Sequence, residues 1–200
     1  MINRRKHIIT RGAGRRSSSV KSIIILCLAV LFFPQGSLLG QVISNNGAAI
    51  TVKTGTVVNA KDASNISGAV LSNSGTIDLS GNYTNTSITN GTGTFRIGGN
   101  WTNTGGILSG NNTVVFNGPD NQSIIRAGGE TFYNLSIENT GAPAAKTVVL
   151  SNLVTVTGTL FMKLGNVNAV ANKLFLSNFA AASLNYTSIT GSRILGKFER

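Results

Sequence analysis

From Gln41 onward the chain consists of short stretches in which apolar and polar residues alternate, separated by runs of Gly, Asn, Ser and Thr. Alternation with a period of two gives a strand one buried face and one solvated face. Apolar residues do not recur with a helical period over more than a turn or two, so we expect strands and no helices. The pattern predicts strands at Ala49–Val52, Thr56–Val58, Ala69–Leu71, Thr76–Leu79, Gly93–Ile97, Thr113–Phe116, Ser123–Ile125, Thr131–Ile137, Thr147–Leu150, Leu153–Val156, Thr159–Met162 and Lys173–Leu176.

Part of the chain repeats itself after 18 residues. Residues 77–86 read IDLSGNYTNT and residues 95–104 read FRIGGNWTNT, with Tyr83 matched by Trp101. Each copy combines strand-like apolar pairs with a polar segment that we interpret as a turn. A fixed period near 20 residues is typical of a solenoid, in which a single unit cannot bury its apolar face alone.

Two architectures fit this string of strands. The hairpins of an antiparallel β-sandwich need turn signals every 8–12 residues or so, but they do not require identical residues one period apart. In a solenoid, residues one period apart lie directly above one another. The repeat therefore favours a right-handed parallel β-helix with coils of roughly 18–22 residues, and the antiparallel β-sandwich is the alternative.

The β-helix interpretation predicts the direction of individual side chains. Asp78 lies at a solvated position, and its counterpart one period later is Arg96, so we expect these two side chains to form a stacked ion pair. Tyr83 should stack on Trp101 in the same way. The residues expected to point inward are Ile77, Leu79, Phe95, Ile97, Val114 and Phe116.

The N-terminus has the three parts of a secretory signal peptide. Residues 1–22 contain seven basic residues and no acidic one, and small residues follow the unbroken apolar run Ile23–Phe33. As a helix this run rises about 16 Å, roughly half of a hydrocarbon core, so an uncleaved membrane anchor is the weaker interpretation, as is a transit peptide. We predict that residues 1–40 are a signal peptide, which signal peptidase removes between Gly40 and Gln41.

Removing the signal peptide changes the charge of the protein. The whole chain has a formal net charge of +11, but seven of its 17 Lys and Arg residues lie in the signal peptide and all six acidic residues lie beyond it. Residues 41–200 keep ten basic residues, scattered singly. We therefore expect no nucleic-acid partner.

The residue types that catalysis usually needs are scarce in the repeat segment. The only cysteine, Cys27, and the only histidine, His7, both lie in the predicted signal peptide. This excludes Ser-His-Asp and Cys-His catalysis and zinc sites built on Cys or His. No two acidic residues lie within four positions of each other, and the calcium-binding nonapeptide of β-rolls is absent. We expect no enzymatic activity, no cofactor and no metal.

Four segments in a fixed order carry a resemblance to a known class of protein: GNWTNTGG at 99–106, TVVFNGPDNQSI at 113–124, TFYNLSIENTG at 131–141 and VTVTGTLFM at 154–162. This order resembles the repeat region of large secreted, adhesin-like surface proteins of Bacteroidota, the type of protein that the type IX secretion system exports. The resemblance covers about residues 75–198 and implies a secreted or surface-displayed segment. The sorting domain of those proteins is absent, which implies that the segment 41–200 is incomplete at its C-terminus.

The aromatic residues admit two interpretations. Spacing by one period favours a stack between coils, whereas an exposed row would give a platform for sugar rings. We expect a non-enzymatic structural or adhesin-like segment, secreted or on the cell surface, whose partner is a surface glycan or another cell-surface protein. The alternatives are a carbohydrate-binding module and the non-catalytic part of a polysaccharide-active β-helix protein. The candidate ligand contacts of the carbohydrate-binding alternative are Tyr83, Trp101 and Tyr133.

Overall fold

The computed structural model describes residues 40–106, 108–141, 146–186 and 192–200, and all of them belong to one compact unit. The predicted signal peptide lies outside the described residues except for Gly40. In chain order the elements are β1 (Val42–Asn46), β2 (Ala49–Val52), β3 (Val57–Ala60), β4 (Asp62–Ile66), β5 (Val70–Asn73), β6 (Thr76–Leu79), β7 (Tyr83–Asn85), β8 (Ile88–Asn90), β9 (Thr94–Ile97), β10 (Trp101–Asn103), β11 (Thr113–Phe116), β12 (Gln122–Ile125), β13 (Glu130–Phe132), β14 (Asn134–Glu138), β15 (Thr147–Leu150), β16 (Val154–Val156), β17 (Leu160–Leu164), β18 (Asn166–Leu176), a 3-10 turn (Ala181–Ser183), β19 (Leu184–Tyr186) and β20 (Ile194–Glu199).

The strands form three sheets in which every pairing between described strands is parallel. One sheet has the order β1-β4-β7-β10-β12-β15-β18-β16-β13, with β20 also paired to β18. The second has the order β19-β17-β14-β11-β9-β6-β3, and the third has the order β2-β5-β8. Most strands that are neighbours in the sequence therefore lie in different sheets, the exceptions being β12 with β13 and β15 with β16, and each strand pairs with the equivalent strand of the next coil. This confirms the predicted parallel β-solenoid and rules out the antiparallel β-sandwich.

Coil length varies along the solenoid. Tyr83 lies opposite Trp101, 18 positions later, as the repeat predicts. Further on, Ile124 lies opposite Leu150, 26 positions later, which exceeds the predicted range. The additional residues include the corners between strands, such as residues 126–129 between β12 and β13. Corners lie on the surface and tolerate insertion, because lengthening them does not disturb the pairing of the flanking strands.

The core is a set of side-chain columns that run from coil to coil. Ile77 pairs in register with Phe95 and Phe95 with Val114, while Leu79, Ile97 and Phe116 form the neighbouring column. Each of the six is at most 2% exposed, which confirms the predicted inward set. Burying an aliphatic or phenyl side chain of this size contributes roughly 1.5–3 kcal/mol before entropy is subtracted.

Several strands were missed by the sequence pattern because each has a polar side chain among its inward residues. The segments that we interpreted as turns in the repeat are the strands β7 and β10, in which Asn85 and Asn103 face inward. The strands β1, β4 and β8 were missed as well, and the predicted strand at Thr131–Ile137 is in fact two strands, β13 and β14. Where an outward Ser or Thr alternates with an inward Asn, both positions are polar, so the strand lacks the apolar–polar alternation on which the prediction depends.

Two corner glycines allow the coils to approach closely. Gly91 has a φ of 120° and Gly110 has a φ of 95°, which other residues rarely adopt. A Cβ atom at Gly91 would overlap the backbone of Asn73, and one at Gly110 would overlap the backbone of Gly91. The corner therefore stacks backbone on backbone, with no side chain between coils.

Candidate functional site

The most unusual feature of the interior is a ladder of four stacked asparagines. Asn45, Asn65, Asn85 and Asn103 occupy the same position in four successive coils, and each is at most 2% exposed. The Nδ2 of each donates to the Oδ1 of the next, at 2.9 Å in all three steps. All of these bonds point in the same direction, so the amide dipoles add along the axis and strengthen one another. We call this row the amide ladder.

The amide ladder ends on a buried carboxylate. Asn103 Nδ2 donates to Glu130 Oε2 at 2.7 Å, and Trp101 Nε1 donates to the same oxygen at 2.8 Å. The backbone N–H of Thr131 donates to Oε1 at 3.0 Å, and the Arg126 guanidinium lies 3.8 Å from that oxygen. Burial raises the pKa of Glu130, and these donors offset only part of that rise. Burial likewise raises the pKa of the neighbouring Tyr83 phenol.

A second glutamate lies on the outer face of the seven-stranded sheet, in a row of alternating charges. Arg96 Nε lies 3.4 Å from Asp78 Oδ2, which confirms the predicted ion pair. Arg96 also lies 4.0 Å from Glu138, which accepts from Lys163 Nζ at 2.8 Å. Partial burial alone would raise the pKa of Glu138, but the hydrogen bonds from Lys163 and Ser136 and the nearby positive charges outweigh it and lower the pKa. The row is well solvated, so each pair contributes at most about 1 kcal/mol.

The two glutamates should give opposite dependences of stability on pH. Because the pKa of Glu130 is raised in the folded protein, Glu130 contributes to folding stability fully at pH values below the ordinary glutamate pKa of about 4.3. This contribution is lost as pH rises through the pKa of the folded state. Because the pKa of Glu138 is lowered, Glu138 contributes to folding stability at pH values above the ordinary glutamate pKa. This contribution is lost as pH falls through the pKa of the folded state. We expect the melting temperature of the wild type, relative to Glu130→Gln, to fall with rising pH. Relative to Glu138→Gln it should rise with pH. Thermal melts of the three proteins between about pH 3 and pH 8 measure both differences, and two slopes of the same sign would contradict the assignment.

The aromatic residues of the repeat are stacked in the interior. The ring centroids of Tyr83 and Trp101 lie 4.5 Å apart, and the Trp101 ring meets Phe132 edge-on at 5.5 Å. The Tyr83 hydroxyl shares a 2.5 Å hydrogen bond with Thr89 Oγ1. Tyr83 and Trp101 are 0% exposed, so the hypothesis that they contact a ligand is wrong for both. An aromatic ring fits the inward column better because it fills the wide coil interior and contributes contacts on both of its faces.

The remaining tyrosines do not complete a platform with them. Tyr133, the third candidate ligand contact, is half-buried in the bend between β13 and β14. Tyr186 is 51% exposed at the end of β19, where its hydroxyl donates to the Ser192 carbonyl at 2.6 Å. The structure therefore does not bring the three candidate ligand contacts together on one surface.

Trp101 is the only tryptophan of the chain, which makes its burial directly measurable. We expect a blue-shifted emission spectrum that iodide in the buffer does not quench, because no part of the indole contacts solvent. Unfolding in urea should shift the emission to the red and restore quenching, which serves as the control. Soluble sugars should leave the emission unchanged. Efficient quenching in the folded state would contradict the interior stack.

A row of side chains outside the core ties each coil to the next. Asp62 Oδ1 accepts the backbone N–H of Asn82 at 2.6 Å, and Asn82 Oδ1 accepts the N–H of Asn100 at 2.8 Å. Asn100 Oδ1 then accepts the N–H of Ser123 at 2.9 Å. These side-chain oxygens satisfy backbone donors at the corner, where strand pairing is interrupted. The stacked asparagines of the repeat therefore act between coils.

The outer face of the ten-stranded sheet presents a row of hydroxyl groups. Ser44, Ser64, Thr84 and Thr102 are in register on β1, β4, β7 and β10. They alternate with the buried asparagines and are exposed or half-exposed. We call these four residues the hydroxyl row. Neighbouring strands of a sheet are about 4.8 Å apart, so the hydroxyl groups repeat at that spacing along the axis.

Gln41, the residue after the predicted cleavage point, lies directly before β1, and its carbonyl accepts the Lys61 N–H at 2.8 Å.

Within the described ranges, no three His, Cys, Asp or Glu side chains converge as metal ligands, and no helix is long and apolar enough to cross a membrane. Comparisons of the chain with protein-family models, with curated proteins and with solved structures find no match.

Proposed function

We propose that residues 41–200 are a non-enzymatic structural segment of a secreted or cell-surface protein, of the adhesin-like type found in Bacteroidota. The observation that carries this proposal is the use of polar side chains between coils. The amide ladder, the corner row from Asp62 to Ser123 and the charge row on the outer face all join one coil to the next. Polar groups used in this way stabilise a stiff, axially continuous body.

The outer surface suits such a role. The hydroxyl row offers donors and acceptors at a regular spacing along the axis, with Ser64 Oγ already within 3.5 Å of Ser44 Oγ. A repetitive hydroxyl surface suits weak contacts with a surface glycan or with another cell-surface protein, because many similar contacts add up by multivalency. The burial of Tyr83 and Trp101 removes the aromatic platform on which the carbohydrate-binding module depended.

The start of the solenoid supports an exported form. The predicted cleavage point between Gly40 and Gln41 lies directly before β1, so cleavage there releases the whole set of described strands without cutting one. Signal peptidase acts on the extended segment that follows an apolar run.

The test is to express the chain with a C-terminal tag in a Bacteroidota host. We expect the tagged protein at the cell surface or in the medium, with Gln41 as the N-terminal residue by sequencing. The matched control is Leu28→Arg, which places a charge in the apolar run and should prevent recognition of the signal peptide. This variant should stay in the cell. A cytoplasmic protein that still begins at Met1 would contradict the proposal.

A further inference from the structure

The first coil of the solenoid has no neighbour on one side within the described chain. Each of the three sheets ends on a strand of this coil: β1, β2 or β3. Each therefore presents a row of backbone N–H and C=O groups that no described strand pairs. Such an edge is a template for a further strand.

A cavity of about 150 Å³ lies at this end of the core. Three residues of its lining, Ile43, Ile50 and Val58, are only half-buried, whereas Leu71 and Ile77 of the next coil are buried. The difference arises because the first coil has an apolar face that no described residue covers. Side chains of a further coil would fill the cavity as Leu71 and Ile77 do for their neighbours.

The amide ladder begins at this cavity with an unsatisfied atom. Asn45 lines the cavity and is 2% exposed, yet its Oδ1 is buried and has no hydrogen-bond partner among the described residues. In the following coils, Asn65 Oδ1 accepts from Asn45 and Asn85 Oδ1 accepts from Asn65. Asn45 Oδ1 thus occupies the position at which the ladder would receive an amide from a preceding coil. Buried acceptors in native proteins are nearly always paired.

We propose that this end binds an extended segment of a partner protein, which adds in parallel to β1 and donates an asparagine amide to Asn45 Oδ1. The partner strand carries an apolar residue two positions before its asparagine. This pattern is already used four times within the amide ladder, at Ile43 and Asn45, at Ala63 and Asn65, and in the two copies of the 18-residue repeat. The docking surface continues the interface that joins each coil to the next, which is the mode of recognition called β-augmentation.

The described C-terminal strands do not offer this pattern to a second copy of the chain. In β19 the asparagine, Asn185, directly follows Leu184 and is exposed on the outer face. β20 contains no asparagine or glutamine. Residues 1–40 place an amide two positions after Met1 and after Phe33, but the proposed cleavage before Gln41 removes this segment from the protein. A separate polypeptide with the apolar-x-Asn pattern is therefore the occupant that fits.

The probe is a synthetic peptide with the sequence of residues 61–80, whose Asn65 stands two positions after Ala63. It is titrated into the 15N-labelled chain that begins at Gln41. We expect chemical-shift changes at Asn45 and at the cavity-lining residues of β1, β2 and β3. A control peptide with Asn65→Ala should bind about tenfold more weakly, because it leaves the Asn45 acceptor unpaired.

A variant of the protein, combined with the two peptides, makes a double-mutant cycle between Asn45 and the asparagine of the peptide. In Asn45→Leu the acceptor is absent, so the two peptides should bind with the same affinity, and circular dichroism shows whether the variant is folded. In the folded Asn59→Ala variant, which changes an exposed side chain of β3, the tenfold difference should persist. Equal binding of both peptides to the wild type, shifts at β19 and β20 instead, or no binding would overturn the proposal. A concentration-dependent dimer formed through β1 would overturn it as well.

Discussion

Ile97→Asp is expected to unfold the solenoid, whereas Arg96→Asp, one residue earlier, should leave it folded. Ile97 is 0% exposed and lies between Leu79 and Phe116 in an inward column. A carboxylate at this position would have neither solvent nor a partner, and burying an unpaired charge costs several kcal/mol. We expect a loss of more than about 4 kcal/mol, a large fraction of the 5–15 kcal/mol that stabilises a typical domain.

Arg96→Asp changes the charge but not the core. Arg96 is 36% exposed, and its partners Asp78 and Glu138 lie on the same solvated face. Losing these pairs and placing a new carboxylate beside two others should cost about 1 kcal/mol. Thermal and urea unfolding, followed by circular dichroism, measure both variants. If Arg96→Asp proved as damaging as Ile97→Asp, the assignment of inward and outward faces would be wrong.

The apolar columns of the solenoid could be predicted from the sequence. Positions such as Ile77 and Phe95 combine period-two alternation with an 18-residue offset, and these two signals together determine both the face and the register. The prediction of coil length failed further along the chain. There the pairing of Ile124 with Leu150 depends on corner insertions that leave no periodic signal.

The amide ladder was missed for a physical reason. A buried polar residue is favourable only when its partners are in place, and Asn85 obtains these partners from Asn65 and Asn103 in other coils. Sequence reasoning about a single strand therefore takes such an asparagine for a turn residue. The signal that could have revealed it is the recurrence of an apolar residue two positions before asparagine at each period. No comparable signal points to Glu130, whose role depends on a corner that brings it to Trp101 and Asn103.

Breaking the amide ladder at its centre should destabilise the protein by about 2–4 kcal/mol. Asn85 is 1% exposed, its Nδ2 donates to Asn103, and its Oδ1 accepts from Asn65, from the Ser87 N–H at 3.2 Å and from Thr89 at 3.1 Å. Asn85→Ala would leave the Ser87 N–H buried without a partner and would divide the ladder into two parts. Asn59→Ala, on an exposed position of β3, is the matched control and should change stability by no more than about 0.5 kcal/mol.

Asn85→Leu distinguishes a hydrogen-bonding role from simple filling of space. Leucine has the same number and branching of side-chain heavy atoms as asparagine and is favoured in a core, so it would be neutral or stabilising if the column only needed filling. We expect it instead to cost about as much as Asn85→Ala, because Ser87 N–H and the neighbouring ladder amides still lose their partner. A buried amide also accepts only one alignment of the coils, whereas an apolar column keeps its side chains on the same face when a strand shifts by two residues. The leucine variant should therefore show broader unfolding and faster amide exchange in β4, β7 and β10. Unfolding as sharp and as late as that of the wild type would mean that the ladder fixes neither the stability nor the register of the coils.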